Sequence, residues 1–178
     1  HRKSPKMAGG KLNMRDDGKY NILGIRVNSV DYEAATAAVI NAATERRPLK
    51  VTALAVHGIM TGIFDQAHRF RLTAFNYVTP DGQPVRWALN LLHKCKLSKR
   101  VYGPDLMLEI CAGAARKNIS IYLYGSSTDV LDALASNLAS KLPSLKIAGT
   151  RASLFRLSAG REKQEIIDEI KSSGASIV

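Results

Sequence analysis

Strand signals and helix signals alternate along nearly the whole chain, and this alternation constrains the fold more than any other feature. Strand signals fall at residues 21–23 and 25–27 around Gly24, then at 49–55, 76–79, 118–124 and 145–148, with another beginning at 175–178. Between them, apolar residues recur at helical spacing: Tyr32, Ala35, Ala38, Val39 and Ala42; a helix start at 56–60; residues 65–74; Val85, Trp87, Ala88, Leu91 and Leu92; Leu106, Met107, Ile110, Cys111 and Ala114; residues 128–141; and about 158–173. Parallel strands need crossover connections, and a helix after each strand supplies them. The expected class is therefore α/β, with a mostly parallel sheet and helices on both faces. A chain of 178 residues suffices for one such core. Residues 1–19, polar and basic, read as a flexible arm, and residues 20–178 as the folded domain.

A Rossmann-like sheet of this kind holds its chemistry outside the carboxyl ends of its strands. The unit at residues 77–87 is the clearest such junction. Its strand runs into Pro80, which cannot continue a ladder. Asp81-Gly82 is turn chemistry, and a helical pattern follows. Two readings of Asp81 are open here: a cap for the next helix, or a working carboxylate at a strand end.

The formal net charge of +11 points to an anionic partner: nucleic acid, an anionic membrane surface or a phosphorylated substrate. Aromatic residues are only 6%, with no aromatic-basic motif for single strands, which argues against nucleic acid. The two cysteines, Cys95 and Cys111, have no metal-type spacing and fit a reduced compartment as free thiols. No apolar run approaches a membrane span and no signal peptide is visible, so a cytoplasmic protein able to touch a membrane surface is expected. The carboxylates are scattered, and no metal site is called for.

Other junctions carry candidate chemistry. Gly125, Ser126 and Ser127 follow a strand and open a helix, so their amides could cradle a phosphate or simply form a strand-to-helix turn with a serine cap. Gly149-Thr150 sits at what reads as an equivalent strand end. Arg100 precedes the turn Val101-Tyr102-Gly103-Pro104-Asp105, where a guanidinium could grip a diphosphate or stand at the surface. His57 follows a strand end and could serve as base, phosphate contact or structural residue.

Taken in order, the Asp81-Gly82 turn, Arg100-Val101-Tyr102-Gly103-Pro104-Asp105-Leu106, Ile121-Tyr122-Leu123-Tyr124-Gly125 and Leu145-Lys146-Ile147-Ala148-Gly149-Thr150 resemble the WecG/TagA/CpsF family of bacterial glycosyltransferases (glycosyltransferase family 26), from about residue 20 to 178. The resemblance implies inverting, metal-independent transfer from a UDP-sugar to a polyprenyl-diphosphate-linked saccharide at the inner membrane face. The products would be teichoic acid linkage units, exopolysaccharides or related cell-surface polymers. It needs no cofactor beyond the UDP-sugar donor, and it implies an anionic membrane surface as a partner and self-association. Asp81 is implied as base for the acceptor hydroxyl and Arg100 as a contact of the donor diphosphate. Thr52, His57 and Gly82 fall in the substrate-binding region, and Gly125, Ser126, Ser127 and Gly149 in the nucleotide pocket.

The chain departs from the family pattern in two places. Ala53 and Ala55 stand where the family often has Thr and Asn, with Thr52 one place off. The family also continues into a Gly-x-Pro-x-Gln-Glu segment and a basic appendage, so a C-terminally truncated domain is expected. These departures keep a second reading open: a degenerate module that binds nucleotide or partner proteins in a polysaccharide assembly. A nucleic-acid-binding α/β domain rests on charge alone.

Overall fold

The computed structural model describes residues 14–153 and 160–178. It opens with an antiparallel hairpin of β1 (Asp16–Ile22) and β2 (Ile25–Val30). The hairpin turns at Leu23-Gly24, where both residues have positive φ, 52° and 87°. That is the conformation a two-residue hairpin loop requires, and glycine adopts it without strain. β1 begins at Asp16, so the boundary expected at residue 19 lies inside a strand. The Arg15 amide donates to the Asp31 carboxylate at 2.8 Å and the Tyr77 hydroxyl to Asp16 at 2.6 Å, which ties this end of the strand down. The rest of the expected arm, residues 1–13, lies outside the described residues.

Helix α1 (Tyr32–Thr44) starts at Asp31, whose carboxylate accepts the Ala34 amide and so caps the helix. Then follow β3 (Val51–Leu54), α2 (Val56–Phe64), α3 (Gln66–Thr73), β4 (Tyr77–Pro80), α4 (Gln83–His93), α5 (Gly103–Lys117), β5 (Ser120–Tyr124), α6 (Thr128–Lys141), β6 (Lys146–Arg151) and α7 (Gly160–Ser172). The expected start of the last helix, residues 158–159, lies outside the described residues.

The α/β class and the parallel pairing match expectation. β3 runs parallel to β4, with Val51 opposite Tyr77 and Leu54 opposite Pro80, and β5 runs parallel to β6. The continuous sheet is instead divided into pairs, for two physical reasons. β2 lies beside β4, but a side chain makes the junction: the Val78 amide donates to Asn28 Oδ1 at 2.8 Å, and Asn28 is buried. Between β3 and β5 lies an open cleft. The strand signal at 175–178 appears as a parallel bridge from Ile177 to Ile121, on the edge of β5 away from β6.

Paired residues of β3 and β4 share faces. Leu54 and Val78 pack with Ile59 of α2, Leu72 of α3 and Val85 and Leu89 of α4. Val51 and Tyr77 pack on the opposite side with Tyr32 and Ala35 of α1 and Leu106 and Ile110 of α5. A third cluster joins β5, α5 and α6 through Ile121, Leu123, Cys111, Ala114, Leu131 and Leu138. Each fully buried Val or Leu contributes about 1.5–3 kcal/mol by leaving water. Both cysteines are buried and free, as expected, and burial pushes the Cys111 thiol up.

Candidate active site

β3 and β4 are parallel, so their carboxyl ends lie side by side, and the residues that end β5 line the same cleft as Thr52 and Ala53 of β3. At the end of β4 the chain turns through Asp81 and Gly82. The Asp81 amide donates to the Leu54 carbonyl at 3.2 Å, so the turn stays joined to β3. Gly82 has φ 91°, strained for any other residue, and it stands at the N-cap of α4. The Asp81 side chain does not cap α4, which has no side-chain cap. Its Oδ2 instead accepts the Gly103 amide at 3.3 Å, at the start of α5. The capping reading thus holds for a different helix, one that begins far along the chain and whose positive end faces this carboxylate.

The segment from Arg100 to Gly103 is pinned one amide at a time. Val101 donates to the Pro80 carbonyl at 2.9 Å, Tyr102 to the Tyr32 hydroxyl at 2.8 Å, and Gly103 to Asp81. The Tyr32 hydroxyl donates onward to Asp105 at 3.3 Å, and burial pushes its phenol up. Arg100 precedes the pinned amides and stacks its guanidinium 4.8 Å above the Tyr102 ring. Its neighbours Val101 and Gly103 make the contact with the Asp81 turn, so Arg100 is carried on the segment that this contact anchors.

The cleft between β3 and β5 has a volume of about 720 Å³. Thr52 and Ala53 line one wall, Tyr124, Gly125 and Ser126 the other, and Gly103 borders it as well. Gly103 thus faces the cleft while its amide holds Asp81. A Cβ built on Gly103 would lie 3.2 Å from the Ala53 Cβ and 3.7 Å from Asp81 Oδ2. Ala53, Asp81 and Gly103 are close neighbours, and a side chain at 103 would fit only if Ala53 or the start of α5 moved slightly.

On the β5 side, Gly125 and Ser126 have φ of 127° and 54°, so the chain turns sharply into α6. Ser127 occupies the N-cap position but makes no side-chain cap bond. No residue caps its own helix through a side chain at α2, α4, α5 or α6, whereas Asp31 and Asp65 do so at α1 and α3. α2, α4 and α6 begin just after β3, β4 and β5 end, which brings the positive dipole ends of these helices to the strand ends.

His57 lies on the exposed first turn of α2, just past the end of β3, where its carbonyl accepts the Thr61 hydroxyl and, among the described residues, its ring has no hydrogen-bond partner that ties it to Asp81. One expected site residue stands elsewhere. Gly149 is not at a strand end: β6 runs on to Arg151, and Gly149 pairs with Tyr122 inside it. A Cβ there would meet the Tyr122 ring at 2.6 Å, so the glycine makes room for an aromatic ring. Gly103 and Tyr32 hold the site and were read from sequence only as part of a turn and of an amphipathic helix. The Gly-Pro-Asp run at 103–105 was the available signal, since a glycine before a helix-starting Pro leaves space for a close approach. Ala55, where the family pattern often has Asn, is the uncapped N-cap of α2.

Residues 20–178 match the profile of the Glycosyl transferase WecG/TagA/CpsF family. The chain belongs to this family. Among curated proteins it is similar to N-acetylglucosaminyldiphosphoundecaprenol N-acetyl-beta-D-mannosaminyltransferase of Bacillus subtilis (strain 168), with 35% identity over 78 residues. That stretch covers 44% of this chain and 30% of the relative. Among the described residues no helix is long and apolar enough to cross a membrane, and no group of three or more His, Cys, Asp or Glu side chains is placed to hold a metal ion.

Proposed function

We propose that the chain is the core of an inverting glycosyltransferase that moves a sugar from a UDP-sugar to a polyprenyl-diphosphate-linked saccharide in cell-surface polymer synthesis. The carrying observation is the Asp81 carboxylate at the end of β4, held on the Gly103 amide, with Arg100 on the same pinned segment and the cleft alongside. Family membership and the relative's lipid-diphosphate acceptor support the substrate classes.

Asp81 takes the proton of the acceptor hydroxyl as that oxygen bonds to the anomeric carbon. The bond from that carbon to the donor diphosphate breaks, and UDP leaves from the opposite face, which inverts the configuration. Arg100 and the amides at Ser126 and Ser127 meet the charge that develops on the departing diphosphate, while Gly125, whose amide donates to the Arg151 carbonyl at 3.1 Å, supplies the turn that presents them. These cationic and N–H groups take the part a metal plays in other transferases, so the reaction is proposed to run without one. Thr52 and Gly82 bound the acceptor side. His57, exposed on α2, is given no step. The enzyme is proposed to act at the inner face of the plasma membrane, peripherally and as a homo-oligomer.

The test is transfer of radiolabelled sugar from a panel of UDP-sugars to a polyprenyl-diphosphate-sugar acceptor. Turnover with one donor supports the reading, and no turnover with any donor sinks it. Ala53 and Ala55 favour one other reading, a degenerate module. It predicts that UDP raises the melting temperature while no donor is turned over.

A further inference from the structure

α2 and α4 cover the same face of the β3–β4 pair, and each carries a second apolar stripe turned away from the core. On α2 the stripe is Val56, Met60 and Phe64, and Phe64 is 82% exposed. On α4 it is Trp87 and Leu91, 57% and 81% exposed, with Leu92 beside them. Residues four apart stack along one helix face, so these are continuous strips. Both helices start at the strand ends beside Asp81. Both also end at the β1–β2 turn: Gly62 packs against Ile25, and His93 Nε2 lies 2.7 Å from the Asn21 carbonyl. Exposed Leu23 caps that turn. The apolar face thus runs from the candidate active site to the hairpin tip. Exposed apolar surface of this continuity marks an interaction site.

Charge selects the occupant. Helices α2, α3 and α4 contain no Asp or Glu, while α1, α5, α6 and α7 each contain at least one. The acid-free helices carry His57, Arg69, Arg71, Arg86 and His93, and exposed Lys94 and Lys96 follow α4. The carboxylates of this stretch are Asp65, already 3.7 Å from Arg71, and Asp81 at the strand end, so two copies meeting through this face would oppose an excess of positive charge. An anionic lipid surface matches both properties: apolar side chains enter the acyl boundary, a tryptophan suits the interface, and the basic rim meets the headgroups.

We propose that the α2–α4 face docks on an anionic lipid bilayer, with Phe64, Trp87 and Leu91 entering the interface. The inference builds on the proposed lipid-linked acceptor, since docking there would bring the Asp81 end of the helices to the surface where that acceptor lies.

Trp87 is the chain's one tryptophan, so its fluorescence reports this face alone. The whole chain is titrated with vesicles of phosphatidylglycerol and phosphatidylcholine, and separately with phosphatidylcholine alone. The expected result is a blue-shifted Trp87 emission on the anionic vesicles, quenched by brominated acyl chains. Phe64→Ser with Leu91→Ser should weaken binding at least ~10-fold, from the apolar area removed. Both side chains are exposed, so the variant should melt as the parent does.

Emission unmoved by vesicles overturns the proposal. So does an equal response to uncharged vesicles, or a lipid-free shift that tracks protein concentration together with a dimer by light scattering, which would assign the face to a second copy. Activity separates the two readings. Transfer to a soluble short-chain acceptor with Trp87 unmoved defeats the docking alone. A shifted Trp87 without transfer to any acceptor supports the docking and defeats the proposed reaction.

Discussion

Asp81 Oδ2 and the Gly103 amide meet at 3.3 Å, joining the end of β4 to the start of α5. If Asp81 is the base, Asp81→Asn should remove the basic oxygen and keep its shape and its bond to Gly103. Turnover should fall by about 10²–10⁴-fold, while the melting temperature stays within a few degrees because the side chain is only half-buried. Full turnover in the asparagine variant would remove Asp81 from the chemistry.

Gly103→Ala probes the same contact from the other side. The new Cβ would press on Ala53 at 3.2 Å, and both atoms belong to well-anchored backbone. Helix propensity favours alanine over glycine by up to about 1 kcal/mol, which offsets much of the crowding. Stability should change little, but α5 must shift away from Ala53 and carry the amide from Asp81. Activity should drop by roughly 10-fold, on the scale at which small misplacements in a site are felt. Unchanged kinetics would show that Asp81 does not need this amide.

How much of this was legible in the sequence depends on range. The β4–turn–α4 unit was readable because Pro80, Asp81, Gly82 and the apolar spacing of α4 are all local signals. The partner of Asp81 was not: a capping carboxylate and a carboxylate that holds a distant helix have the same local sequence. Gly149 shows the reverse error. A glycine that ends a strand and one that yields space to a ring look alike until Tyr122 is seen against it. The division of the sheet was hidden for a similar reason. Asn28 sits in a strand pattern, and only the fold reveals that its side chain replaces a backbone partner for Val78.

Tyr32 supports the site from α1 by accepting the Tyr102 amide at 2.8 Å. Tyr32→Phe leaves that amide and the Asp105 carboxylate without their partner, for a loss of about 1 kcal/mol in stability. If the loosened segment carries Arg100, the apparent affinity for the UDP-sugar should weaken several-fold, with a smaller effect on the maximal rate. A variant with the same KM but lower kcat would place the role of Tyr32 elsewhere.

Alkaline unfolding should report the tyrosines that tie the strands together. The bond from the Tyr77 hydroxyl to Asp16 is the main reason its pKa is pushed up to about 12, with burial adding to it. For Tyr122, burial comes first and the bond to Glu169 second, and its pKa is also pushed up to about 12. An unfolded tyrosine titrates near 10, so above that pH the unfolded chain releases protons that the folded chain still holds. The stabilisation from each pair is complete below about pH 10 and is lost as the pH rises through the folded value near 12. Melting temperature should therefore fall across that window. Tyr77→Phe should have a shallower fall than the parent, together with a small loss at neutral pH from the missing bond to Asp16. Tyr122→Phe should flatten it in the same sense. If either variant keeps the parent's slope between those limits, the corresponding hydroxyl does not hold its proton through the fold.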